Sequence, residues 1–225
     1  SICLFLFVAG SLLLHTAFTQ KKRGAFLLGT MLFVLCMYTY NLTRLLSPLL
    51  FILILILFKN NIKRISKSEI VGTAIVVGFS LLPFATTLLG GGGTQSASGT
   101  LIFSSASVLA PLVELRSYLI ALPEIFVKIF FNTNLLILFQ YLQNIAGYLS
   151  VPFFFISGSP HGNHGIGNVG QLYLFELPFF LIGLFSIFTK KPKGGIFILL
   201  WGLVVILVSA LTRDIPHATR SFPLL

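Results

Sequence analysis

Residues 1–40 read SICLFLFVAG SLLLHTAFTQ KKRGAFLLGT MLFVLCMYTY. Two apolar runs, 1–18 and 24–40, meet at Thr19-Gln20-Lys21-Lys22-Arg23, where three cations stand in succession. A helix needs about 17–25 mostly apolar residues to cross the hydrocarbon core of a bilayer. A Lys/Arg cluster between two such runs marks a joint on the cytoplasmic side. The stretch therefore predicts a helical hairpin in a membrane.

The rest of the chain repeats the pattern. Further apolar runs lie at 43–58, 70–89, 172–188 and 195–211, which makes six expected spans. Of the 225 residues, 56% are hydrophobic and 9% charged. Soluble domains carry about 25% charged residues. With a mean hydropathy of +0.99, composition excludes a water-soluble core and predicts an all-α, polytopic transmembrane bundle in one membrane domain over 1–225.

Alternate joints must lie on opposite faces. Thr19–Arg23, Lys59–Glu69 and Thr189–Gly194 hold ten Lys or Arg and one acid, Glu69. The other joints and the span ends beside them hold five cations, four acids (Glu114, Glu124, Glu176 and Asp214) and three of the four His. The Lys/Arg excess places the first set in the cytoplasm. The net charge of +10 thus reads as topology rather than nucleic-acid binding. Any chemistry is expected on the outer, periplasmic or extracellular face of a plasma membrane.

The outer stretch 90–171 opens with Gly90–Gly93 and a Ser/Thr/Gly-rich loop. Two helical patterns follow, 108–121 and 124–149, with Pro123 at the start of the second. They are expected to lie in the outer interface with their apolar faces in lipid. A crossing by 124–149 is the alternative, and it would break the charge alternation. Residues 152–171, rich in Gly and Pro, read as an ordered loop. Cys3 and Cys36 sit in apolar spans and read as packing residues. Ser1 lies inside an apolar run with no basic segment ahead of it, so the chain is expected to be a fragment of a longer protein rather than to begin with a signal peptide.

Candidate functional residues follow from this topology. Arg213, Asp214, His217 and Arg220 form a charged cluster at the outer bilayer edge. A guanidinium there either snorkels to water or offers its planar fork to a phosphate, with His217 adding a donor. His161 and His164 in the Gly-rich loop are candidates for substrate contact; two His without further ligands are a weak metal set, so no metal site is assigned. Glu176, one turn into a span after Gln171, is a functional candidate or the partner of an outer Arg such as Arg213 or Arg220. Tyr40 and Arg44 flank a short outer turn, and Glu114 and Arg116 either steer substrate or face water.

Four blocks, taken in order, carry a resemblance. They are Tyr38-Thr39-Tyr40-Asn41-Leu42-Thr43-Arg44; Tyr141-Leu142 through Phe153-Phe154-Phe155; Gly167-Asn168-Val169-Gly170-Gln171-Leu172-Tyr173-Leu174-Phe175-Glu176-Leu177-Pro178; and Pro216-His217-Ala218-Thr219-Arg220-Ser221. In this order and topology the chain resembles membrane glycosyltransferases of the protein mannosyltransferase and aminoarabinose transferase superfamily, which have the GT-C fold. The resemblance implies an enzyme that moves a sugar from a polyprenyl-phosphate donor to a protein, lipid or glycan acceptor on the outer face. On this picture Arg220, helped by His217, is the leading donor-phosphate candidate, a role inferred from the guanidinium's fit to phosphate, and a divalent metal cofactor stays open. The family's catalytic acid, in the first outer loop, aligns upstream of Ser1, so no acid in this chain takes that role and the fragment alone is expected to be inactive. A non-enzymatic transporter or lipid flippase, with Glu176 and Arg220 as pathway residues, is the competing expectation.

Overall fold

The computed structural model describes residues 2–20, 22, 24–89, 101–103, 114, 117–118, 123–160, 169–213 and 215–218, and of residues 64, 87–89 and 124 the backbone alone. Among the described residues the protein is helical, with no strand. The helices are α1 (Ile2–Gln20), α2 (Ala25–Thr39), α3 (Thr43–Leu57), α4 (Lys67–Leu89), α5 (Glu124–Phe130), α6 (Thr133–Tyr148), α7 (Leu177–Lys190) and α8 (Lys193–Ser209). In hydrocarbon only internally bonded backbone is tolerated, which is why the apolar runs fold as helices. Each of the six expected spans coincides with one of α1–α4, α7 and α8.

Their lengths differ from expectation. α1 and the Lys67–Thr86 part of α4 are long and apolar enough to cross a membrane. Residues Leu174–Lys190 and Lys193–Ser209 reach that standard as a pair bent by 119°, which gives up to three spans. α2 and α3 have 15 residues each, about 22 Å at the helical rise. α2 is trimmed by Gly24, which is left-handed at φ 77°, and by Tyr40, which is extended.

The chain divides into two compact units. The first comprises Ser1–Gly93, Ile182–Val208 and Arg220–Leu225; the second comprises Thr94–Leu181 and Ser209–Thr219.

In the first unit α1 and α2 pack at very short range. A Cβ on Gly29 would lie 2.9 Å from Leu14 Cγ and 3.0 Å from the Gly10 carbonyl oxygen, so the missing side chain sets the helix separation. Phe7 anchors the core edge-on to Phe33 at 5.5 Å and to Trp201 of α8 at 5.7 Å. Phe18 stacks on Phe58 at 5.4 Å. The helices also share polar ties, as lipid-facing bundles do. Ser47 donates to the Phe33 carbonyl, and the Tyr38 hydroxyl donates to the Ser80 carbonyl.

The second unit corrects two details of the sequence reading. The helix expected over 124–149 is broken at Phe131-Asn132, because the Asn132 side chain accepts the Leu135 N–H at 2.9 Å and starts a new helix. Pro152–Ile156, expected as loop, is a π-helical turn. The outer pattern at 108–121 lies mostly outside the described residues; Glu114, Ser117 and Tyr118 are helical there and exposed.

Candidate functional site

Among the described residues, a set of polar side chains gathers in the second unit, where the segment after α8 docks on α6. Asn144 is fully buried. Its side-chain amide donates to the Ala210 carbonyl at 2.7 Å and the Thr212 carbonyl at 3.1 Å, and its Oδ1 accepts from Gln140 Nε2 at 2.8 Å. One turn further along α6, the buried Tyr148 hydroxyl accepts the His217 backbone N–H at 3.3 Å. Ser159 donates to the Pro216 carbonyl at 3.1 Å. Ile102 N–H donates to the Leu211 carbonyl at 3.0 Å, beside an isolated bridge between Leu101 and Thr212. The Ile215–Pro216 peptide is cis.

The effect is to hold 209–213 and 215–218 by their backbone. An exposed segment of irregular chain has carbonyls that water can satisfy; a buried one must find donors in the protein. Asn144 supplies two of them from one side chain. Tyr148 in turn packs edge-on against Phe153 at 5.5 Å, which links the docked segment to the π-helical turn.

That turn is clasped to 169–172. Leu172 N–H donates to the Phe154 carbonyl at 2.7 Å and Gln171 N–H to the Phe153 carbonyl at 3.3 Å. Glycines make the approach feasible. Gly158 has φ +66°, and a Cβ there would lie 2.1 Å from the Val169 carbonyl oxygen; a Cβ on Gly170 would lie 2.5 Å from the Phe155 carbonyl carbon. The described ends of the Gly-rich block singled out by sequence, Gly158 and Val169–Gln171, are therefore held in direct backbone contact.

Among the residues expected to form a site, the second unit brings His217 and Gln171 onto this framework. His217 is buried, with 6% of its surface exposed. Arg213 is half-buried and Glu114 exposed. Glu176 does not need an arginine to explain it: its Oε2 accepts the Tyr173 N–H at 2.8 Å at the start of the turn that leads into α7. A carboxylate at a helix N-terminus is also favoured by the helix dipole. Arg116, His161, His164, Asp214 and Arg220 lie outside the described residues.

Tyr40 and Arg44 belong to the first unit. Tyr40 is exposed. The Arg44 guanidinium sits 5.2 Å from the centre of the Phe84 ring, a cation–π contact. Its Nε is buried with no hydrogen-bond partner among the described residues.

Asn144 and Tyr148 were not marked as functional by the sequence. Asn144 reads as one polar residue among several on an interfacial helix, and its partners are 66 and 68 residues away. Among the described residues no three His, Cys, Asp or Glu side chains are grouped to hold a metal. Comparisons with protein-family models, curated proteins and solved structures return no match for this chain.

Proposed function

We propose that this chain is part of a polytopic membrane glycosyltransferase of GT-C-like architecture, with six spans, that transfers a sugar from a polyprenyl-phosphate donor to a lipid, glycan or protein acceptor on the outer face. The reading is supported by the order of the four sequence blocks and by the side on which the acids and His collect. The single observation that carries it furthest is the anchoring of 209–218 on α6 through Asn144 and Tyr148. A clamp for a departing phosphate must be rigid before charge develops on it. Here Ala210, Thr212 and His217, which precede Arg220 in the sequence, are held through their backbone by buried hydrogen bonds.

In this reading Arg220 supplies the charged fork to the lipid phosphate, helped by His217 as a further donor. The resemblance implies a general base, a carboxylate on an outer loop that takes the acceptor proton. Tyr40, Arg44, Glu114, Arg116, His161, His164, Gln171, Glu176 and Asp214 are secondary candidates for substrate contact.

The released polyprenyl phosphate is common to every such transfer, whatever the sugar. Binding of undecaprenyl phosphate to the solubilised full gene product tests the reading without knowledge of the donor sugar. Arg220→Ala is expected to weaken that binding about 10–100-fold, the worth of a charge-assisted hydrogen-bond pair. Binding unchanged in Arg220→Ala contradicts the clamp. Binding lost in the variant while the lipid is moved across the bilayer without sugar transfer favours the transporter.

A further inference from the structure

The first unit carries a second polar surface that the proposed transfer does not use. The Lys59–Arg64 turn after α3 is pinned to the last turn of α1, where Asn61 Nδ2 donates to the Phe18 carbonyl at 3.3 Å. The turn after α1 is pinned to the first turn of α4, where the Gly24 N–H donates to Glu69 Oε1 at 3.0 Å. These two bonds draw the α1–α2 and α3–α4 joints together at one end of the unit. In sequence the two joints hold seven Lys or Arg and one acid. That acid is Glu69, and one of its oxygens is already committed to the Gly24 amide.

Lys22, Lys59, Lys63 and Lys67 are all exposed. Next to them along the chain stand exposed apolar side chains: Ile56 at 60%, Ile70 at 39% and Val71 at 58% exposure. Beneath them Ile65 is buried. The surface thus runs from ammonium groups to bare hydrocarbon within one or two helical turns. A free phosphate ion would use only the first part. A phospholipid with a net negative headgroup uses both.

We infer that the joined α1–α2 and α3–α4 turns form a binding surface for anionic phospholipids, with Lys22, Lys59, Lys63 and Lys67 on the headgroup phosphate and Ile56, Ile70 and Val71 along the acyl chains. The lysines act as point charges on flexible stems. The surface therefore selects headgroup charge rather than headgroup shape, and salt screens it. It is independent of the transferase reading and of Arg220.

The test offers the purified chain in detergent micelles equal amounts of phosphatidylglycerol and phosphatidylcholine, then counts the lipids that co-elute by mass spectrometry. Micelles remove membrane orientation, which the same lysines also set, from the outcome. Phosphatidylglycerol is expected to be enriched at low salt, with the enrichment falling in high salt. Each Lys→Gln substitution is expected to weaken phosphatidylglycerol binding about fivefold. The combined Lys22→Gln, Lys59→Gln, Lys63→Gln, Lys67→Gln variant is expected to take up both lipids equally, and four Lys→Arg replacements to restore the preference. If the combined variant does not fold, Lys63→Gln and Lys67→Gln singly carry the same comparison. Equal uptake by the wild-type chain, or wild-type preference in the Gln variants, overturns the inference. Displacement of the lipid by inorganic phosphate beyond that by sodium chloride of the same ionic strength also overturns it, because that marks a site for an ion alone.

Discussion

Asn144 of α6 donates to the carbonyl of Ala210, 66 residues away and just beyond the end of α8, at 2.7 Å. The same amide reaches the Thr212 carbonyl. One buried side chain thereby replaces the water that two irregular carbonyls, those of Ala210 and Thr212, would otherwise need.

Asn144→Leu keeps the size of the side chain and removes both donors. Leaving buried acceptors unpaired costs about 1–3 kcal/mol each, so the second unit should lose about 2–6 kcal/mol. Thermal unfolding in micelles measures it. Tyr148→Phe should cost less, about 1 kcal/mol, since the ring stays against Phe153 and the acceptor for His217 N–H is lost. A Tyr148→Phe loss as large as that of Asn144→Leu would mean that the hydroxyl, rather than the amide, carries the docking.

Gly29 and Gly78 lie on helices of the same unit and should respond oppositely. A Cβ at Gly29 meets backbone atoms of α1 at 3.0–3.1 Å, while one at Gly78 meets nothing within 4 Å. Gly29→Ala is expected to force α1 and α2 apart at a cost of about 1–3 kcal/mol. Gly78→Ala should be neutral or stabilise by about 0.5–1 kcal/mol through helix entropy. Similar melting shifts for the two would show that α1 and α2 do not pack as described.

At the bend between α7 and α8, Lys191 is a non-glycine residue at φ 47°. The left-handed region costs an L-residue about 1–2 kcal/mol, and glycine is the usual occupant after a helix end. Lys191→Gly should raise stability by about 1 kcal/mol, and Lys191→Val should lower it. Melting temperatures of the two variants that move in the same direction would contradict the geometry.

Burial pushes the Tyr141 hydroxyl on α6 above its ordinary value near 10.0. The folded state then holds this proton when the unfolded chain has released it. The associated stability is present below pH about 10 and is lost as the pH rises through the folded value. Unfolding curves collected across that window should fall more steeply for the wild-type chain than for Tyr141→Phe. Parallel curves would show that Tyr141 titrates alike in both states.

The apolar runs around Lys21-Lys22-Arg23 were enough to locate α1 and α2, and the same reasoning located α3, α4, α7 and α8, because lipid leaves the backbone little choice but helix. The ends were less legible. Gly24 and Tyr40 stop α2 through backbone conformation, which hydropathy does not register. Asn132 was readable in retrospect: a capping residue three positions before Leu135 is a start signal inside what looked like one helix. The framework under His217 was not legible. Asn144, Tyr148 and Ser159 act on carbonyls and amides distant in sequence, and no periodicity predicts which polar residue of a helix finds such a partner. Glu176 shows the reverse case, a charge in an apolar run that local capping explains.

The central claim places 209–218 and the outer stretch on the face opposite the lysine-rich joints. Single cysteines introduced at Tyr118 and Lys63, both exposed, in a chain with Cys3 and Cys36 replaced by Ala, can be probed in intact cells with a membrane-impermeant maleimide. The account predicts that Tyr118→Cys is labelled directly and Lys63→Cys only after permeabilisation. Labelling in the reverse order would put the His217 framework in the cytoplasm and contradict an outer-face transferase.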